Sequence, residues 1–137
     1  MKTYPFLMYF LILFLLAASS CEDKVIDQDF AFGREISLEV NKLYASNNGN
    51  YAVIINEVSD SRCADGAMCV WAGEVTVKGE LTVEGNKSSF EIHSVVSQQN
   101  KQPEGYTVQI IDAKPYPKLG VESKPEDLII NLLIKVN

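Results

Sequence analysis

Apolar and polar positions along this chain follow two regimes. Residues 6–18 form thirteen consecutive apolar positions, with Lys2 the sole charge before Glu22. Beyond them the pattern changes to short stretches of period two, which is the mark of half-buried strands. Ile36, Leu38 and Val40 alternate with Ser37, Glu39 and Asn41. The run Ser46-Asn47-Asn48-Gly49-Asn50 contains the Asn-Gly pair of a tight turn, so a strand at 51–58 is expected to pair antiparallel with the first. A long strand is predicted over 69–83. It puts Cys69, Trp71, Gly73, Val75, Val77, Gly79, Leu81 and Val83 inward, with Val70, Ala72, Glu74, Thr76, Lys78, Glu80, Thr82 and Glu84 outward. Gly79, in its middle, predicts a bend or bulge. Gly85-Asn86 closes a hairpin onto 88–95, where Phe90 and Ile92 face the core, and a polar loop follows at 97–105. Tyr106, Val108 and Ile110 define a further strand, ended by Pro115-Tyr116-Pro117 because proline cannot donate to a ladder. Lys124 to Asp127 predicts one helical turn, and the strongly apolar 128–136 predicts a strand at the centre of its sheet. The expected fold is all-β: a single small antiparallel β-sandwich or partly open barrel of six to seven strands over 34–137.

The first regime has a different meaning. Thirteen apolar residues match a signal-peptide core and fall short of the ~20 needed to cross a bilayer. Small residues (Ala17, Ala18, Ser19, Ser20) directly precede Cys21. Ala18-Ser19-Ser20-Cys21 resembles the lipobox of bacterial lipoproteins, with Ala18 where leucine is commonest. The resemblance implies cleavage before Cys21 and acylation of its thiol. Residues 1–20 are then a signal peptide, and 21–33 a lipidated cysteine with a short tether. Two or more acyl chains anchor a protein stably, each buried CH₂ contributing ~0.8 kcal/mol. The competing readings are an uncleaved membrane anchor reaching back to Thr3, and Cys21 as a free thiol on an exposed tail. Residues 22–29 read as polar tether, at most ~30 Å long when extended. The expected address is the bacterial cell envelope, with the outer membrane or cell surface ahead of the periplasmic face of the inner membrane. Glu22 and Asp23, beside the cysteine, suit either kind of sorting signal.

Charge narrows the partners. The chain of 137 residues carries 12 basic and 18 acidic side chains, net −6. Removing Lys2 with the leader leaves 11 basic against 18 acidic, net −7. An acidic balance opposes nucleic acid and opposes docking on an anionic membrane by charge. Solubility accounts for it, with an acidic binding face as the alternative. A chain of this length makes one domain and buries roughly two-thirds of its unfolded surface.

Three cysteines would leave one thiol spare in an oxidising compartment. Acylation of Cys21 removes the spare and leaves Cys63 and Cys69 as a pair, which secretion permits to oxidise. Closing so small a loop removes roughly 2–2.5 kcal/mol of unfolded-chain entropy, and Asp65-Gly66 lets the chain reverse inside it. Metal binding would need more ligands than His93 adds, and a redox pair is normally two residues apart where five intervene here. A stapled loop also presents a pre-ordered surface, which lowers the entropy lost on binding. Asp60, Arg62, Asp65, Met68 and Trp71 are therefore candidate binding residues. Asp60 and Arg62 equally suit a local ion pair. Trp71, in register with Cys69, Val75 and Val77, suits packing over the disulfide inside the core.

The segment from Asp60-Ser61-Arg62-Cys63-Ala64 to Cys69-Val70-Trp71-Ala72-Gly73 resembles a motif, D-S-R-C-P, four residues, then C-[VI]-W-A-G. The motif belongs to uncharacterised secreted or lipid-anchored bacterial β-domain proteins, with Ala64 here in place of proline. Pro115-Tyr116-Pro117 and the apolar last strand extend the resemblance over most of 34–137. It implies a fold and brings no activity with it.

Catalytic inventory is thin. His93 is the sole histidine and Ser94 adjoins it, but neighbours on a strand point to opposite faces. No G-x-S-x-G elbow or phosphate-cradling glycine loop occurs, and the carboxylates are scattered. No catalytic residue, metal or cofactor is expected. The expected function is a lipid-anchored, non-catalytic binding or structural module. Its partners would be the membrane, through the anchor, and an envelope protein or glycan. A protease-inhibitor-like domain presenting Ala67-Met68, or a small envelope hydrolase, are the alternatives.

Overall fold

Alternating strands with one apolar face must bury that face against another layer. The computed structural model of the chain, described for residues 25–27, 30–95 and 100–137, does so with two facing sheets. The leader at 1–20, Cys21, Glu22 and Asp23, and the start of the polar loop at 97–99 lie outside the described residues. The strands are β1 (Val25–Asp27), β2 (Glu35–Glu39), β3 (Leu43–Ala45), β4 (Tyr51–Asp60), β5 (Val75–Val83), β6 (Asn86–His93), β7 (Tyr106–Lys114) and β8 (Ile129–Val136). One sheet has the order β1-β3-β4-β5-β6, antiparallel except for the parallel edge pair β1–β3; the other is antiparallel with the order β2-β8-β7. The all-β expectation therefore holds, as a sandwich that is not closed into a barrel. Pro125–Asp127 forms the anticipated single turn, of 3-10 type, and β8 lies central in its sheet.

The core is the set of inward positions from both sheets. Val53, Ile55, Val58, Val77, Leu81, Phe90 and Ile92 face Leu38, Val108, Ile130, Leu132 and Ile134, all buried. Two bulges reset the alternation. The register of β4 shifts between Ile55 and Glu57, so Val58 turns inward where strict alternation would send Glu57. In β7 the shift falls between Ile110 and Asp112; Ala113 is buried and Ile111 stands out to solvent. The bulge foreseen at Gly79 lies in the facing strand. Gly79 is needed for close approach: a Cβ there would meet the Ile54 carbonyl oxygen at 2.4 Å and the Phe90 ring at 2.6 Å.

Three expectations are corrected. The 36–40 strand pairs with β8 and not with 51–58, because the chain changes sheets at Asn41, whose φ is 60° and whose N–H donates to the Ile55 carbonyl. The short β3 takes the place beside β4 and closes the Asn-Gly turn. The long strand begins at Val75 and not at Cys69; Gly73 has φ 74° and breaks the extended backbone that period two requires. Finally, the tether is shorter than 22–29, since Val25–Asp27 is already strand and Phe30 is buried.

Strand directions give the sandwich two poles. At one lie the starts of β4, β6 and β7 and the ends of β5 and β8. Phe30 and Phe32 plug this pole against Tyr51 and Tyr106, with ring centroids 4.7–6.4 Å apart. At the other pole lie the β4–β5 loop, which carries both cysteines, and the β7–β8 connection.

Candidate functional site

The β4–β5 loop is first a continuation of its ladder. The Ser61 N–H donates to the Glu74 carbonyl (2.8 Å), the Glu74 N–H donates to the Ser61 hydroxyl oxygen (3.1 Å), and the Cys63 N–H donates to the Ala72 carbonyl (2.8 Å). Cys63 and Cys69 are bridged, with Cα atoms 5.9 Å apart. Inside the bridge the Ala67 N–H donates to the Ala64 carbonyl, a turn in which Gly66 takes φ 84°. Gly73 passes so close to Ser61 that a Cβ would sit 1.9 Å from its carbonyl oxygen. The Trp-Ala-Gly run thus packs backbone on backbone.

Arg62 ties this loop to the other sheet. Its Nε and Nη2 donate to the two Asp60 carboxylate oxygens at 2.9 and 2.6 Å, in the forked geometry that favours arginine. Nη1 donates to the Ala113 carbonyl (2.8 Å) and Nη2 also reaches the Pro115 carbonyl (3.1 Å). The guanidinium lies 4.6 Å from the centre of the Tyr116 ring. The hydrogen bonds to Asp60 hold its proton more tightly than usual, helped by the charge of Asp60 and opposed by burial. The two side chains are only 11% and 9% exposed, so the local ion pair is formed and both groups are internally engaged. Asp65 is exposed, and its backbone makes the second link: its N–H donates to the Pro117 carbonyl and its carbonyl accepts from the Leu119 N–H.

What these loops leave outside is apolar. Met68 and Val70 are fully exposed and Trp71 is 59% exposed. Trp71 does not pack over the disulfide in the core, as its register suggested, because the strand that would have turned it inward does not reach it. On the β7–β8 connection Tyr116, Leu119 and Val121 are exposed as well. Of nine large apolar side chains exposed among the described residues, these six occupy two adjoining loops. A cleft of about 220 Å³ runs beside them, lined by Tyr116, Pro117, Val121 and Lys124 among others. Tyr116, Leu119 and Val121 were not singled out from the sequence as surface residues. Their signal is isolated apolar residues in a Pro- and Lys-rich segment that keeps no strand period.

His93 and Ser94 belong to separate hydrogen-bond sets. His93 Nδ1 is 3.1 Å from the Thr76 hydroxyl and 3.5 Å from Glu74 Oε2, which is buried without a hydrogen-bond partner. The Ser94 hydroxyl oxygen accepts from the Val75 N–H at 2.9 Å. Clefts of about 320 and 300 Å³ are lined by neither residue. No group of three metal-ligating side chains occurs among the described residues.

No protein-family model, curated protein or solved structure matches this chain. Its site must be read from its own geometry.

Proposed function

We propose that this chain is a lipid-anchored bacterial envelope protein, held by acyl chains on Cys21, whose β-sandwich works as a non-catalytic binding module through the stapled loop end. One observation carries the reading. Six large apolar side chains stand in solvent on loops immobilised by a disulfide, the Arg62 clamp and the Asp65 backbone links. Exposed apolar clusters mark interaction sites, and a rigid loop loses little entropy on binding. The signal-like leader, the residues before Cys21 and the unpaired cysteine count support the anchor.

A photo-crosslinking residue placed at Val70 is expected to trap an envelope component, lipid or protein, in intact cells, while the same residue at exposed Asn47, on the opposite pole, traps none. Equal yields at the two positions would remove the loop end as the binding surface. Replacing Cys21 with Ala is expected to release the protein from membranes. A protease-inhibitor-like use of Ala67-Met68 is the second reading, favoured by the full exposure of Met68 on a bridged loop. Stoichiometric inhibition of a serine protease, lost in M68D, would establish it.

A further inference from the structure

Strand directions bring the chain into the domain from the side that carries the apolar loops. β1 runs parallel to β3, and β3 runs antiparallel to β4. Since β4 leads toward the stapled loop, β1 leads away from it, and the chain enters Val25 from the stapled-loop side. Val25 is level with Leu43 and therefore with Ile54 and Glu80. From that level to the loop base at Val75 are five residue steps of β5, about 17 Å. Cys21 is four steps before Val25 and reaches at most about 14 Å. With that end down, the anchor is too short to hold the loops clear of the lipid surface.

We propose, resting on the Cys21 anchor above, that the loop end is a second membrane contact. Met68, Val70, Trp71, Leu119 and Val121 enter the interfacial layer of the bilayer that carries the acyl chains. The chemistry fits a lipid surface. Fully exposed aliphatic tips insert among acyl chains, while Trp71 and Tyr116 have the amphipathic rings that settle at the headgroup level. Exposed charges on the two connections lean acidic, Asp65, Glu122, Glu126 and Asp127 against Lys118 and Lys124, so apolar insertion rather than charge attraction supplies the contact. The net acidity that opposes charge-driven docking is no obstacle to it.

Trp71 is the single tryptophan of the chain and lies in the proposed contact, so its fluorescence reads the contact directly. The full acylated protein is reconstituted into vesicles of phosphatidylethanolamine and phosphatidylglycerol, with or without bromine on the acyl chains. Trp71 emission is expected at shorter wavelength than in the water-soluble C21A protein, and bromine is expected to quench it. The double variant M68S/V70S stays on the vesicles through its anchor but loses the quenching. If the acylated protein binds vesicles while aqueous iodide quenches Trp71 as fully as it does in C21A, the loop contact is overturned and the anchor stands. Shielding of Trp71 only when a second protein is added overturns it in favour of that protein. A mature protein without acyl chains on residue 21 overturns the anchor and this contact together.

Discussion

The two poles of the sandwich are made from similar residues and put them to opposite use. Phe30, Phe32 and Tyr51 contact each other edge to face, Tyr106 packs tilted against Phe32, and together they seal the space between the sheets. Met68, Val70, Trp71, Tyr116, Leu119 and Val121 leave that space empty of themselves and face water. At the first pole apolar burial is the cohesive force. At the second the cohesion comes from a disulfide, a forked ion pair, the stacking of Arg62 on Tyr116 and backbone hydrogen bonds, so the other five apolar side chains are not needed to hold the loops. They are free to meet something else.

The largest effect that would break this contrast is at Gly73. An alanine there must adopt φ near 74° and intrude on Ser61, so Gly73→Ala is expected to lose about 4 kcal/mol, read from urea unfolding. A near-normal midpoint would mean that the loop is not packed backbone on backbone. Next, Arg62→Ala leaves Asp60 without its partner in a site 9% exposed and frees the Ala113 and Pro115 carbonyls; about 3 kcal/mol is expected.

A direct comparison of the poles comes from two truncations. Phe32→Ala opens the aromatic plug and is expected to cost about 3 kcal/mol, whereas Trp71→Ala should change stability by less than about 0.5 kcal/mol. Equal losses at the two sites would show that Trp71 is cohesive after all. Reducing Cys63–Cys69 is expected to lower stability by about 2 kcal/mol, visible as a lower melting temperature that an alkylated sample retains.

The smallest effect is electrostatic. Asp112 has its carboxyl held below the usual range, chiefly by its hydrogen bond to Lys114, then by the Ala113 N–H and the positive charges of Lys114 and Arg62. A depressed carboxyl stabilises the fold above its unfolded pKa and loses that contribution as pH falls through the folded one. Asp112→Asn should therefore be slightly less stable than the parent near neutrality, with the gap closing as pH falls below about 4. A gap that persists in acid would assign the loss to packing instead.

Much of this architecture was legible because period-two burial is local. Phe90, Ile92, Val77 and Leu81 can be assigned inward from their neighbours alone, and so can the central place of β8. The partner of 36–40 was not legible: it depends on a change of sheet at Asn41, and nothing in the alternation of β2 says which sheet it joins. The bulges in β4 and β7 escaped for a related reason. Inserting one residue resets the phase, and its trace is a single acidic side chain, Glu57 or Asp112, where alternation would put an inward residue. At the candidate site the cysteine pairing was legible once Cys21 was set aside as the acylated residue, while Trp71 was misplaced because alternation was extended through a glycine with positive φ.

By itself the amino-acid order determined an all-β domain, the inward set of most strands and the pairing of Cys63 with Cys69, since each depends on neighbours close along the chain. Tertiary structure alone decided that Trp71 faces water, that Arg62 crosses to the Ala113 and Pro115 carbonyls, and that Tyr116, Leu119 and Val121 join the same pole. Those outcomes depend on contacts between segments some fifty residues apart. Only folding brings such segments within bonding distance.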